Sequence, residues 1–222
     1  KQDLLTRLIT GNYILGHDTI QVVSKRELKP EHLEETRKAT QRLTGLGIVE
    51  QTLRQVTVQS FVDPTKFPVY GLIRRLHIVI SSMQEGAVRA LVEKRPDLAN
   101  EVSHMEAEAN RIYWLVVRQL LLAIRDRSVG AKIGIESPTH VAGNRVVAKT
   151  LEEMADSANN IAEEVLATKD FSGASESILE GIKKFSAMVQ SVSDRMMKSL
   201  LTLDVKLAND AIGNAEHAEK EQ

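Results

Sequence analysis

Three oxygen-bearing side chains recur every fourth residue in the stretch LEEMADSANNIAEE, residues 151–164: Glu152, Asp156 and Asn160. On an α-helix, positions i and i+4 lie about 40° apart around the axis, so the three form one stripe. The stripe runs beside an apolar face of Leu151, Met154, Ala158 and Ile161. It is either a solvated helix face or half of a cation site. Carboxylate and amide oxygens suit hard or borderline ions such as Mg²⁺, Mn²⁺, Fe²⁺ or Zn²⁺. The other half, on the same spacing, is Glu106 and Asn110. If the two helices pack antiparallel, Glu106, Asn110, Glu152 and Asp156 converge, and Asn160 offers a further oxygen. Asn110 carries no charge and so holds a cation less strongly than an acid would. Against this stands the frequency of such spacing on exposed helices, where most instances bind nothing. Arg145 and Lys149 lie about two turns and one turn before Glu152. They either pair with the acids or contact an anion such as phosphate.

The remaining constellations are weaker. Glu101-x-x-His104 resembles half of a di-iron carboxylate motif, and its second half is missing. Helical projection places His104 with Glu108 as a solvated pair. His77, among Leu76, Ile78 and Ile80, reads as a packed histidine rather than a ligand. Arg74, Arg75 and Arg89 read as a solvated face, and Trp114 as core. The chain has no Gly-rich phosphate loop, Ser/His/Asp set or nucleotide fingerprint, so nothing in it points to catalysis.

The elements that must position these residues follow from periodicity. Residues 3–16 read as a short helix ended by Gly16, and DTIQVVS as a strand. A helix follows from Pro30, closed by Gly45 and Gly47. LRQVTVQSFV reads as a second strand. The first ~62 residues are thus α-β-α-β with a two-stranded element, too small to stand without support. From Pro68 the texture turns helical. Leu72, Leu76, Val79, Ile80, Met83, Ala87, Ala90 and Leu91 mark a helix over ~66–93. A second spans ~97–126 and is apolar on all sides after Tyr113, as helices buried among several neighbours are. Residues 128–138 read as a loop. A third helix runs ~139–168, punctuated by KDFSG, and a fourth starts near Ser175 and continues past Leu203. The fold class is mainly α: an antiparallel helical bundle over residues 64–222, preceded by a small α/β linker or dimerisation region over residues 1–63. DLANEV (97–102) is echoed by KLANDA (206–211), each after a long helix, which suggests a repeated hairpin with its second copy cut short.

Composition agrees with that class. Of 222 residues, 42% are hydrophobic, 27% charged and only 4% aromatic, which favours helices packed by aliphatic side chains. A net charge of −1 with interspersed signs gives no basic face for direct nucleic-acid binding. Cysteine is absent, which excludes disulfides and thiolate ligands and fits a reducing, cytoplasmic setting. No apolar run reaches the ~18 residues of a membrane span. A start at Lys1 rather than Met suggests a segment of a longer polypeptide.

DLANEVSHMEAEANRIYWLVVRQL resembles the second helix of PhoU-family phosphate-uptake regulators, with its Asp, Leu-Ala pair and E/D-x-x-x-D before a hydrophobic stretch. RVVAKTLEEMADSANNIAEEV is similar to that family's next helix. Leu151, Glu152, Asp156, Ala158, Asn160, Ile161, Ala162 and Glu163 fit its signature. LITGNYILGHDTIQV and RLTGLGIVEQT resemble the region that joins an AbrB/SpoVT-like DNA-binding domain to the helices in archaeal-type members. The departures are Asn110 for the second acid, Glu153 for an Arg and Ser157 for a His. The resemblance implies regulation of phosphate uptake, with the transporter's ATPase subunit or a signalling protein as partner and with homo-oligomerisation. It also implies a divalent metal held by the acidic stripes. The alternative is a metal-free structural or oligomerisation module of a transcriptional regulator.

Overall fold

In the computed structural model, residues 3–168 and 175–220 are described, with side chains described to residue 213 in the last helix. The elements run α1 (Leu4–Ile14), β1 (Thr19–Val23), α2 (Pro30–Gln41), β2 (Leu46–Gln51), β3 (Gln55–Ser60), a 3-10 turn (Pro64–Lys66), α3 (Val69–Val92), α4 (Pro96–Arg125), α5 (Arg127–Lys132), α6 (Pro138–Ala167), α7 (Glu176–Thr202) and α8 (Val205–Lys220). Mainly helical architecture follows, as expected. KDFSG lies outside the described residues. Among those residues no helix is long and apolar enough to cross a membrane.

The chain divides into two compact units, Lys1–Arg75 with Ala107–Thr150, and Leu76–Glu106 with Leu151–Gln222. In the first unit, the sheet has three antiparallel strands in the order β1-β3-β2, not two. Gly45 and Gly47 do not close the preceding helix, which already stops at Gln41. Gly45 instead takes φ +68°, a left-handed turn where a Cβ would meet Val62 at 2.3 Å. That turn launches β2, whose short Ile48-Val49 run gave little alternation to read. Ile20, Val56 and Val58 pack with Ile9 and Tyr13 of α1 and Ala39 of α2 into one core, and Trp114 of α4 lies against it. Trp114 is thus partly buried core, as expected.

The apolar half of α4 is buried from Ile112 to Leu120 except for half-buried Trp114, and the two polar residues in it are buried as well. Arg118 is 1% exposed and Gln119 fully buried. A buried guanidinium must spend its donors on fixed acceptors. Arg118 Nη1 donates to the carbonyls of Tyr13 (2.5 Å) and His17 (3.2 Å), and Nη2 to Asp18 Oδ1 (2.8 Å). Its cationic carbon lies 4.8 Å from the centre of the Tyr13 ring. These acceptors sit at the end of α1, where carbonyls lack intrahelical partners and a cation is favoured. The same end carries a Schellman cap: His17 N–H donates to Asn12 O and Gly16 N–H to Tyr13 O, with Gly16 at φ +84°. Arg125 Nη1 donates to Leu15 O. Gln119 Nε2 donates to Pro64 O and Phe67 O, fixing the turn before α3.

Residues 128–138 are not wholly loop. Asp126 accepts N–H bonds from Ser128 and Val129 and so caps α5. The fourth long helix also breaks. Leu203 adopts φ +53°, and Asp204 N–H reaches back to Ser199 O, before α8 starts. The join of α3 to α4 has the same form: Lys94 at φ +55° and Arg95 N–H to Ala90 O. DLANEV begins three residues after Lys94, and KLANDA three residues after Leu203. The sequence echo therefore sits at one structural offset, in two helical hairpins of the second unit.

Replacing Arg118 with Met keeps an apolar stem but removes every donor. It should cost about 1–3 kcal/mol in urea denaturation, because the Tyr13 and His17 carbonyls lose their charged donor. Asp18, whose side chain is 79% exposed, should cost only about 0–1 kcal/mol as Asp18→Ala. Equal effects would overturn the view that the carbonyl contacts dominate.

Candidate functional site

The acidic stripe lies where the periodicity placed it, along α6. Ala148, Leu151, Ala155, Ala158, Ala162 and Val165 are buried, whereas Asp156 and Asn160 are exposed and Glu152 is half-buried. Glu106 and Asn110 lie half-buried on α4. Glu106, Glu152, Asp156 and Asn160 belong to the second unit; Asn110, Arg145 and Lys149 belong to the first. Glu106, Asn110, Lys149, Glu152 and Asp156 each already have an interaction partner. Among the described residues no three His, Cys, Asp or Glu side chains are gathered so as to hold a metal ion.

The polar residue that does join the two helices is Asn159, adjacent to the stripe. It is 7% exposed. Its Oδ1 accepts from Ser103 Oγ of α4 at 3.0 Å, and its Nδ2 donates to Glu163 Oε1 at 3.0 Å. Four-residue spacing from Leu151 and Ala155 places Asn159 on the apolar face, and that spacing was the available signal. An amide there, satisfied on both sides, fixes the register of α6 on α4 within this unit. Glu106 stands one turn along α4 from Ser103, and Asp156 one turn along α6 from Asn159.

Arg145 is half-buried in the first unit, its guanidinium carbon 5.3 Å from the centre of the Tyr113 ring. This is a cation–π contact rather than a pairing with the α6 acids. Its Nη1 is buried without a hydrogen-bond partner. Tyr113 in turn lies 4.8 Å from Trp114, ring centre to ring centre.

Glu108 does not pair with His104. Its Oε1 accepts from Arg75 of α3 at 2.7 Å, while His104 is exposed. A guanidinium on a neighbouring helix outcompetes an exposed imidazole one turn away, because it is always charged and donates in a fixed fork. Arg89 pairs with Glu93 at 3.2 Å. Arg75 and Arg89 therefore take part in surface ion pairs, in keeping with a solvated face.

His77 is buried on α3, its Nε2 3.1 Å from Ser193 Oγ and 3.4 Å from Asp194 Oδ1 of α7. Burial pushes its pKa below the ordinary histidine value, and Asp194 partly opposes this. Tyr13, by contrast, is pushed up to about 12, because burial outweighs the pull of Arg118. Its hydroxyl donates to Thr44 O at 2.9 Å.

Comparison with known proteins bears on one stretch: residues 73–165, covering most of α3 through most of α6, match the family model described as PhoU domain. No curated protein and no solved structure matched the chain.

Between its folded pKa and the unfolded value near 6.5, His77 binds fewer protons folded than unfolded. Stability should therefore be full above that unfolded value and fall as the pH drops through the window toward the folded pKa. His77→Gln should flatten this part of a melting-temperature profile. An unchanged slope in the variant would remove His77 as its source.

Proposed function

We propose, from the PhoU-domain match over residues 73–165, that the chain regulates phosphate uptake by protein–protein contact and carries out no catalysis. The observation that carries this reading is the PhoU-domain match over residues 73–165, in a family that is regulatory rather than enzymatic. The partner is the phosphate transporter's ATPase subunit or a signalling protein of the same response. The folded helices act as a recognition surface, and the buried Asn159 link keeps the register that surface depends on. Deleting the gene should raise phosphate uptake in phosphate-rich medium. Uptake equal to the parent strain's in both rich and poor medium would sink the regulatory assignment.

A second reading has its own observation. In the order β1-β3-β2, both β1 and β2 present one edge without a strand partner among the described residues, and Val23, Val49 and Leu53 beside them are exposed. Open edges of this kind favour pairing with another strand. The first unit thereby becomes a dimerisation module, as in a transcriptional regulator, without a metal. Metal analysis with sedimentation in and out of chelator tests the metal directly. The expected result is no stoichiometric divalent ion and unchanged sedimentation in EDTA. A bound ion lost in both Glu152→Ala and Asp156→Ala would restore the metal site.

A further inference from the structure

The two open edges of the sheet in the first unit are not equivalent. Hydrogen-bond direction alternates along an antiparallel strand, so the ladder shows which residues face outward. Ser60 N–H donates to Asp18 O, and Ser24 N–H to Arg54 O. In the same register Ile20 lies opposite Val58 and Val22 opposite Val56, so the even-numbered residues of β1 bond to β3. The N–H and C=O groups of Thr19, Gln21 and Val23 therefore point away from the sheet, and no described residue bonds to them. On β2 the outward row is broken. Its register slips between Ile48 and Glu50, which leaves Val49 as a bulge beside a charged residue. A bulge and a charge both blunt an edge against pairing. β1 has neither: Thr19 to Val23 run in unbroken register and none of them is charged.

That outward row is complementary to its own antiparallel copy. Turned about a two-fold axis at Gln21, each Gln21 meets the other, and Thr19 meets Val23, in hydrogen-bonded pairs. Ile20 then falls opposite Val22 in a closer pair without hydrogen bonds. Both lie on the core side of the sheet, Ile20 buried and Val22 half-buried against the core cluster, so the apolar face continues across the junction. On the other face Thr19, Gln21 and Val23 are exposed, and the Thr19–Val23 pair joins two β-branched side chains. The strand ends match as well. Asp18, 79% exposed beyond its contact with Arg118, precedes the strand, and exposed Lys25 and Arg26 follow it. Antiparallel pairing sets each acidic end beside a basic end, whereas parallel pairing sets like against like.

We infer that β1 pairs with β1 of a second copy of this chain, antiparallel and centred on Gln21, so that one sheet runs through both copies. The inference rests on the dimerisation reading above and adds to it the edge, the direction and the register. A two-fold contact of this kind uses the same patch on both copies and closes on itself. With β2 blunted at the far edge, the sheet stops growing at the dimer.

Sedimentation equilibrium of the whole chain tests it, and a dimer is expected. Gln21→Pro removes an N–H that β3 does not use, so the internal ladder stays while the central pair between copies is lost. The dimer should weaken at least about tenfold, with circular dichroism unchanged. Gln51→Pro, whose N–H points outward from the β2 edge, should leave the dimer as it is. Charge tests the register without a proline. Gln21→Lys and Gln21→Glu each put like charges across the axis and should weaken the dimer severalfold, yet an equal mixture of the two should pair more tightly than either alone. A parent chain that stays monomeric would overturn this inference and the dimerisation reading together. A dimer of unchanged affinity in a folded Gln21→Pro variant, or a Lys/Glu mixture no tighter than its components, would overturn the β1 pairing and leave dimerisation standing.

Discussion

A guanidinium buried to 1% exposure is the constraint around which the first unit is arranged. The donors of Arg118 are carried out of reach of water, so the fold must bring acceptors to them. It does so with the end of a helix. Tyr13, in the last turn of α1, and His17, just beyond it, offer carbonyls, and Asp18 supplies the countercharge. The Schellman cap is what aims those carbonyls, and Gly16 is what permits the cap. A Cβ at Gly16 would fall 2.5 Å from Leu122 of α4, so the glycine answers to conformation and to close approach together. β1 starts immediately after this corner, so the position of the sheet follows from the anchor.

The same anchor reaches the 43–45 segment through a closed path. Arg118 lies over the Tyr13 ring; the Tyr13 hydroxyl holds Thr44; Thr44 returns to the Arg111 carbonyl, two turns back along α4. Both ends of the path sit on one helix, so movement of the 43–45 segment must strain α4 or break a hydrogen bond. The high pKa of Tyr13 keeps its hydroxyl protonated, and hence a donor, throughout the physiological range. Rigidity of the 43–45 segment and burial of a charge in the core are one arrangement, not two.

Much of this was readable from the residues, and the failures have specific causes. The long helices were legible because their apolar spacing persists over many turns, as from Leu72 to Ala90 on α3. β2 was not, since six residues with one Ile-Val pair carry too little alternation, and Gly45 signals a helix end as readily as a hairpin. Arg118 and Gln119 read as interruptions of an apolar run; that they are buried depends on acceptors from residues over fifty positions away, which no local window contains. Glu108 was placed with the wrong partner for the same reason. Projection along one helix finds His104, while the observed partner, Arg75, comes from the preceding helix. Asn159 differs, since its four-residue spacing from Leu151 and Ala155 marks the buried face.

The paired hairpins of the second unit show where local information stops. DLAN and KLAN begin at the same offset from a left-handed, non-glycine cap, Lys94 in one and Leu203 in the other. Each cap tolerates a cost of order 1 kcal/mol that glycine would avoid. The join is thus written locally, twice. Burial is not. Val79, Ile80, Met83 and Ala87 of α3 are buried, yet on α7 only Met197 and Ser199 are, with Ile178 and Phe185 exposed. The periodicity of α7 is as strong as that of α3, so pattern alone cannot have decided the difference. The sequence echo thus accompanies a repeat of the turn without a repeat of the burial.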